Sequence, residues 1–106
     1  MKKQKNQQTR RAMNISNEIK MGGHNVEVKK VGGKDIRNPG EYDSYYDLIR
    51  LLVDDNPESS IAEAFLHEII ERIVYKNNLV IDHVHLTVLS ENLFQVLRDN
   101  KLDFTE

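Results

Sequence analysis

The sequence predicts an α+β domain, a short antiparallel sheet of about three strands packed on two helices. Three observations lead there. Apolar and polar residues alternate on both sides of Gly22-Gly23 with the period of two that a half-buried strand requires. From Ile61 to Val74 the apolar residues fall three and four apart, the period of a helix, and the same spacing returns from Leu86 to Leu97. At 106 residues the chain has the size of one domain, and a domain of that size buries only about 65% of its unfolded surface, so the core is expected to be thin.

Glu18-Ile19-Lys20-Met21 and Val26 to Val31 flank the glycine pair and read as a hairpin, because glycine reaches the positive φ angles of a two-residue turn without strain. Between Val31 and Tyr42 the residues Gly32, Gly33, Asp35, Asn38, Pro39 and Gly40 predict an exposed loop. Tyr45 to Val53 turns aromatic and branched, which predicts a third strand pairing back on the hairpin. Asn56-Pro57 is a helix start, Asn capping the free N–H groups and Pro occupying the first helical position, with Ser60 and Glu63 as an alternative capping box. The helix runs to about Lys76. Its apolar residues Ile61, Phe65, Leu66, Ile69, Ile70, Ile73 and Val74 cover more than half its circumference, as expected of a central helix. Asn77-Asn78 ends it, and a second helix from about Asp82 to Asp99 presents Leu86, Leu89, Leu93, Phe94 and Leu97. These limits divide the chain into a basic disordered leader at 1–14, one domain at 15–100 and a loose tail at 101–106.

Lys2, Lys3, Lys5, Arg10 and Arg11 carry five positive charges with no acid among the first eleven residues, so a net −2 overall leaves −7 on the rest. A basic arm can contact nucleic acid, but this one is rich in Gln and Asn and lacks aromatic residues, which favours a solvated leader. No run reaches the 18 or so apolar residues of a membrane span, and no apolar secretory stretch opens the chain, so a cytoplasmic location without membrane contact is expected. The chain has no cysteine, so any bound metal must be held by nitrogen and oxygen from His, Asp and Glu.

The first helix contains His67-Glu68-Ile69-Ile70-Glu71, an H-E-x-x-E pattern. Side chains at 67 and 71 share one helix face and can grip one ion, much as the two histidines of an H-E-x-x-H zinc helix do while the intervening Glu serves as general base. A catalytic zinc commonly takes three protein ligands, two His and a Glu among the known sets, with water in the fourth position. A further His is therefore wanted, and His83 and His85, at opposite margins of the second helix's apolar stripe, are equal candidates by periodicity. The pattern also has plainer readings. Glu68 and Arg72 stand at i, i+4 in the favourable order for a surface ion pair worth a few tenths of a kcal/mol, and His67 can hydrogen-bond Glu71. Glu63, one turn before His67, is either a solvated helix residue or the acceptor for the second ring N–H of His67.

Several stretches together resemble small phage and prophage proteins of the minimal zincin, metallopeptidase-like type. They are Ile19 to His24 with the valines that follow, Gly40-Glu41-Tyr42-Asp43, Pro57-Glu58-Ser59, Ala62 to Glu71, Ile81-Asp82-His83 with Leu86 and Leu89, and Phe94 to Asn100. The resemblance covers most of residues 19–100. It implies the sheet-on-two-helices fold, His67, Glu71 and His83 as ligands of one divalent ion, zinc by analogy, and Glu68 as the base. It places His83, rather than His85, in the ligand position. It departs from peptidases with H-E-x-x-H in having Glu71 where they have a second His. His24 matches a Gly-Gly-His stretch of the group and is read as a turn residue. The function expected is metal-dependent peptide hydrolysis by a phage accessory protein, acting on a peptide or host protein. The alternative is a metal-stabilised module that binds a host protein or nucleic acid without catalysis.

Overall fold

A computed structural model describes residues 15–102. The fold starts from the glycine turn. Gly22 and Gly23 lie at φ +57 and +82, the mirror-image turn whose twist suits a two-residue hairpin. They join β1 (Glu18–Met21) to β2 (His24–Val31) with Met21 opposite His24 and Ile19 opposite Val26. Period-two alternation sends Val26 and Val28 into the core, fully or almost fully buried, and Glu27 and Lys29 to solvent.

The sheet has four strands and is mixed, where the sequence predicts about three strands, all antiparallel. The additional strand is β3 (Gly40–Asp43), inside the stretch read as loop, and β4 (Leu48–Leu52) follows it. The order is β1-β2-β4-β3, with β3 antiparallel to β4 and β4 parallel to β2. Gly40-Glu41-Tyr42-Asp43 is short, begins on a glycine after a proline and has no branched residue, so β propensity marks it poorly; its pairing with β4 is what makes it a strand. Tyr45 and Tyr46, predicted to open the third strand, instead form the β3–β4 turn and are exposed. The Asp43 carboxylate accepts from the amides of both tyrosines at 3.0 and 3.2 Å, an Asx turn that uses up the N–H groups a strand would pair.

α1 (Glu58–Lys76) lies against β3 and β4, and α2 (His83–Asp99) packs back on α1. Phe65, Ala62 and Ala64 of α1 and Phe94 of α2 join Val26, Val28, Ile49, Leu51 and Ile15 in one core cluster. Ile15, the first described residue, is part of that core; the predicted leader and the end of the predicted tail, 1–14 and 103–106, lie outside the described residues. Pro57 is the residue that precedes the helix, without a side-chain cap, while the expected cap, Asn56, donates back to the Leu52 carbonyl at 3.2 Å. α2 is capped by Asp82, whose side chain accepts from the Val84 amide.

The apolar sector of α1 is narrower than its sequence implies, for Ile73 is exposed and Arg72 is buried. Arg72 is tolerated inside because Asp47, at φ +53 in the β3–β4 turn, meets it with both oxygens: Nε donates at 2.7 Å and Nη2 at 2.9 Å. Tyr42 Oη donates to the same carboxylate at 2.5 Å. The hydrogen bonds from Arg72 and Tyr42 hold the Asp47 carboxyl well below the usual carboxylate range, and burial with the Asp47 partner pushes the Tyr42 phenol up to about 12.

Asp47→Asn leaves the Arg72 charge buried without its counter-ion and is expected to destabilise the fold by about 2–4 kcal/mol, somewhat below the range for fully buried pairs because Asp47 is partly exposed. Arg72→Met, which removes the charge itself, should cost less. The folded-state pKa of Asp47 is depressed, so its contribution is complete above its unfolded value near 4 and disappears as pH falls below it. Urea unfolding at pH 7 and pH 3 checks this: wild type should lose more stability on acidification than Asp47→Asn does. Equal losses would contradict the pairing.

Candidate metal centre

His67 and Glu71 stand one turn apart on the face of α1 turned towards α2. His67 Nε2 lies 3.4 Å from Glu71 Oε2. α1 stops in a Schellman turn, with Asn78 at φ +53, its amide on the Tyr75 carbonyl and the Leu79 amide on the Val74 carbonyl. The chain reverses, and Asp82 caps α2 by accepting from the Val84 amide at 2.9 Å. His83 is then the first helical residue, and its Nδ1 reaches to 3.4 Å from the same Glu71 oxygen. His67, Glu71 and His83 each offer one ligand atom, all within 4.8 Å of one another. The group can hold a metal ion.

The protonation pattern supports that fit. Ser90, almost wholly buried on α2, donates its hydroxyl proton to the Thr87 carbonyl at 3.0 Å, and His67 Nδ1 lies 3.3 Å from the same oxygen. With its one proton committed, Ser90 Oγ can only accept from His67 Nδ1–H. The tautomer this selects leaves the Nε2 lone pair facing Glu71. The His67 Nε2 lone pair and the Glu71 carboxylate then face each other as two acceptors with His83 Nδ1 beside them, an arrangement that can take a cation. Bonds of about 2.05 Å in a tetrahedron separate ligand atoms by roughly 3.3 Å, close to both 3.4 Å separations.

Glu68 occupies the adjoining face of α1, over β3. It is 7% exposed and borders the same cleft as His67, Glu71 and His83, a cavity of about 770 Å³ between β3 and the two helices. The expected Glu68–Arg72 pair does not form, because Arg72 is committed to Asp47, and among the described residues Glu68 has no ion-pair partner. Burial first, then the nearby charges of Glu71 and Glu41, push its carboxyl up to about 7. Gly40 makes the room. A Cβ there would stand 3.1 Å from Glu68 Cγ, 3.3 Å from its Oε2 and 3.3 Å from Leu51 Cδ2.

The two candidates that periodicity left equal are separated. Both are exposed, but His83 reaches Glu71 and joins the group, and His85 does not. His24 lies outside the group, beside a second cavity between the hairpin and α1. Glu63 borders the cleft but does not bond His67; Ser90 takes that role. Ser90 and Gly40 went unnoticed in the sequence. Ser90 had a signal, as the one polar residue on the Leu86-Ser90-Phe94 line that α2 buries; Gly40 looked like part of a turn. Compared with known proteins, the chain matches no family model, no characterised protein and no solved structure.

His83→Ala should weaken binding of one equivalent of zinc far more than His85→Ala, measured by competition with a chromophoric chelator. Ser90→Ala should weaken it about 10–100-fold by releasing the His67 tautomer, the usual effect of losing an outer-shell partner. Equal losses at His83 and His85 would overturn the ligand set.

Proposed function

We propose that this chain is a zinc-dependent peptidase-like hydrolase in which His67, Glu71 and His83 hold the ion and Glu68 is the general base. The observation that carries the reading is the position of Glu68: a buried carboxylate with no ion-pair partner among the described residues, opening on the same cleft as three neighbouring ligand atoms. A bound zinc would supply Lewis acidity to a carbonyl oxygen and lower the pKa of a water molecule. Glu68, held near neutrality by burial, is suited to take a proton from water and later return it to a departing amine. Ser90 keeps His67 Nε2 free, and Gly40 keeps β3 from displacing Glu68.

The ligand count favours catalysis over a structural ion. Structural zinc sites usually close with four protein ligands, and neither His85 nor His24 reaches this group. The alternative, a metal-stabilised binding module, draws support from α2, whose outer surface leaves Val84, Val88, Leu89 and Val96 more than half exposed.

Glu68→Gln separates the two. As general base its loss should lower kcat/KM on a casein-like peptide library by a hundredfold or more, with zinc content near one per chain, because an amide cannot accept the proton. Zinc-loaded wild type that cleaves nothing in the library, or Glu68→Gln as active as wild type, would sink the peptidase and leave the binding module.

A further inference from the structure

The second cavity, of about 770 Å³ between the β1–β2 hairpin and α1, has a lining unlike that of the cleft. α1 is laid over β3 and β4, which leaves the inner face of the hairpin incompletely covered. Ile19 and Met21 of β1 meet Phe65, Ile69 and Ile73 of α1 there. Ile19, Met21 and Ile69 are only partly buried, and Ile73 is 41% exposed. Residues 65, 69 and 73 fall four apart on one face of α1, and Ile69 stands about 200° round the helix from His67. The cavity and the metal group thus occupy opposite sides of α1.

Its border carries charge of one sign. Lys20, His24, Arg72 and Lys76 belong to it, and among the described residues no aspartate or glutamate does, although the chain after its first eleven residues carries −7. Arg72 is answered by Asp47. Lys76 also lies in the field of that carboxylate, but the Asp47 oxygens are already engaged by Arg72 and Tyr42. Among the described residues neither Lys20 nor Lys76 takes part in an ion pair. His24 shares the sheet face of Val26 and Val28 by the period-two alternation of β2. The end of α1 does not oppose an anion with open carbonyls, because the amides of Asn77, Asn78 and Leu79 take those of Ile73, Tyr75 and Val74.

We propose that this cavity binds a free fatty acid, its hydrocarbon chain on Ile19, Met21, Phe65, Ile69 and Ile73 and its carboxylate on Lys20 and Lys76. The volume falls in the range of about 300–1,000 Å³ usual for small-molecule sites, which pair an apolar lining with a few polar groups that fix orientation. The chain removes the partly exposed lining from water, and Met21 adapts its shape to what it covers. The head gains charge-assisted hydrogen bonds. With Arg72 committed to Asp47, the cations left are ammonium groups, which meet a single anionic head as point charges and lack the fork that a free guanidinium would offer a phosphate.

The test is a calorimetric titration of the full chain, with chelator present so that a carboxylate cannot bind at the metal group. Decanoate, decanol and decyltrimethylammonium, equal in chain length and different in head charge, are compared below their micellar concentrations. Decanoate should saturate one site per chain and bind about tenfold more tightly than decyltrimethylammonium at 50 mM salt, with the gap narrowing at 300 mM as the charges are screened. Lys20→Gln/Lys76→Gln should lower decanoate affinity about fivefold or more and leave decanol unchanged, whereas Lys29→Gln/Lys34→Gln, with the same change in net charge outside the cavity, should alter neither. Ile73→Ser should weaken all three. Absence of saturable decanoate binding, equally tight binding of decyltrimethylammonium, or a decanoate affinity untouched by Lys20→Gln/Lys76→Gln would overturn the proposal. So would sedimentation with phosphatidylglycerol vesicles by a chain that does not bind decanoate, which would mark the patch as a membrane contact. None of these outcomes depends on zinc or on cleavage.

Discussion

A guanidinium cannot be buried in a thin core without its counter-charge, and Arg72 is buried. Asp47 answers it with two oxygens, and Asp47 sits in the turn that joins β3 to β4. The pair therefore fixes how α1 is rotated about its own axis. With Arg72 held on the β3–β4 turn, Glu68, one turn earlier on the same face, must lie over β3. There a Cβ at position 40 would press on it at 3.1 Å, and glycine leaves the space free. Residues 67 and 71 lie one residue before 68 and 72, about 100° round the helix, which turns them to α2. One ion pair thus divides α1 into a face whose carboxylate is buried against the sheet and a face whose ligands meet a second helix.

Periodicity was strong where packing follows local pattern and weak where a charge decides. The hairpin, both helices and the i, i+4 geometry of His67 and Glu71 could be read directly, because each depends on residues within a few positions of one another. β3 could not, since its four residues form a strand only through pairing with β4, and nothing local in Gly40-Glu41-Tyr42-Asp43 announces a partner. The parallel pairing of β2 with β4 was hidden for the same reason, as it exists only because the chain passes to the sheet edge before returning to its middle. Arg72 was misread because a helical Arg four residues after a Glu has a ready surface explanation. Its true partner stands 25 residues away, at a positive φ that only the folded turn makes available.

The same contrast runs through the site. The i, i+4 closeness of His67 and Glu71 was legible from spacing, but the approach of His83, rather than His85, to Glu71 depends on the path of the chain through the Schellman turn and the Asp82 cap. The cap sets where α2 begins, and that sets which histidine faces Glu71. Ser90 is a further case of long-range selection. A serine in an apolar line is ordinarily a neutral choice, yet here its proton is taken by Thr87, and the remaining lone pairs determine which nitrogen of His67 stays free.

These connections bear on why a chain of this size would place its ligands on two helices. α2 buries only Leu86, Ser90 and Phe94 well, and Leu89 and Leu93, on the stripe that its sequence suggested would be covered, remain partly in water. With no disulfide to staple it, α2 is secured among the described residues by two well-buried apolar side chains, Leu86 and Phe94. A ligand that binds only the native arrangement adds to stability by RT ln(1 + [L]/Kd), about 2.7 kcal/mol at a concentration a hundred times Kd. Of the three residues that could hold an ion, two come from α1 and the third from the first turn of α2, so an ion held there would add this increment to the pairing of the two helices. The core can then stay thin at that end, which leaves the space between β3, α1 and α2 open as a cleft and not filled by side chains. On this account the openness that a substrate would need and the modest packing of α2 have one origin, the division of ligands between the two helices.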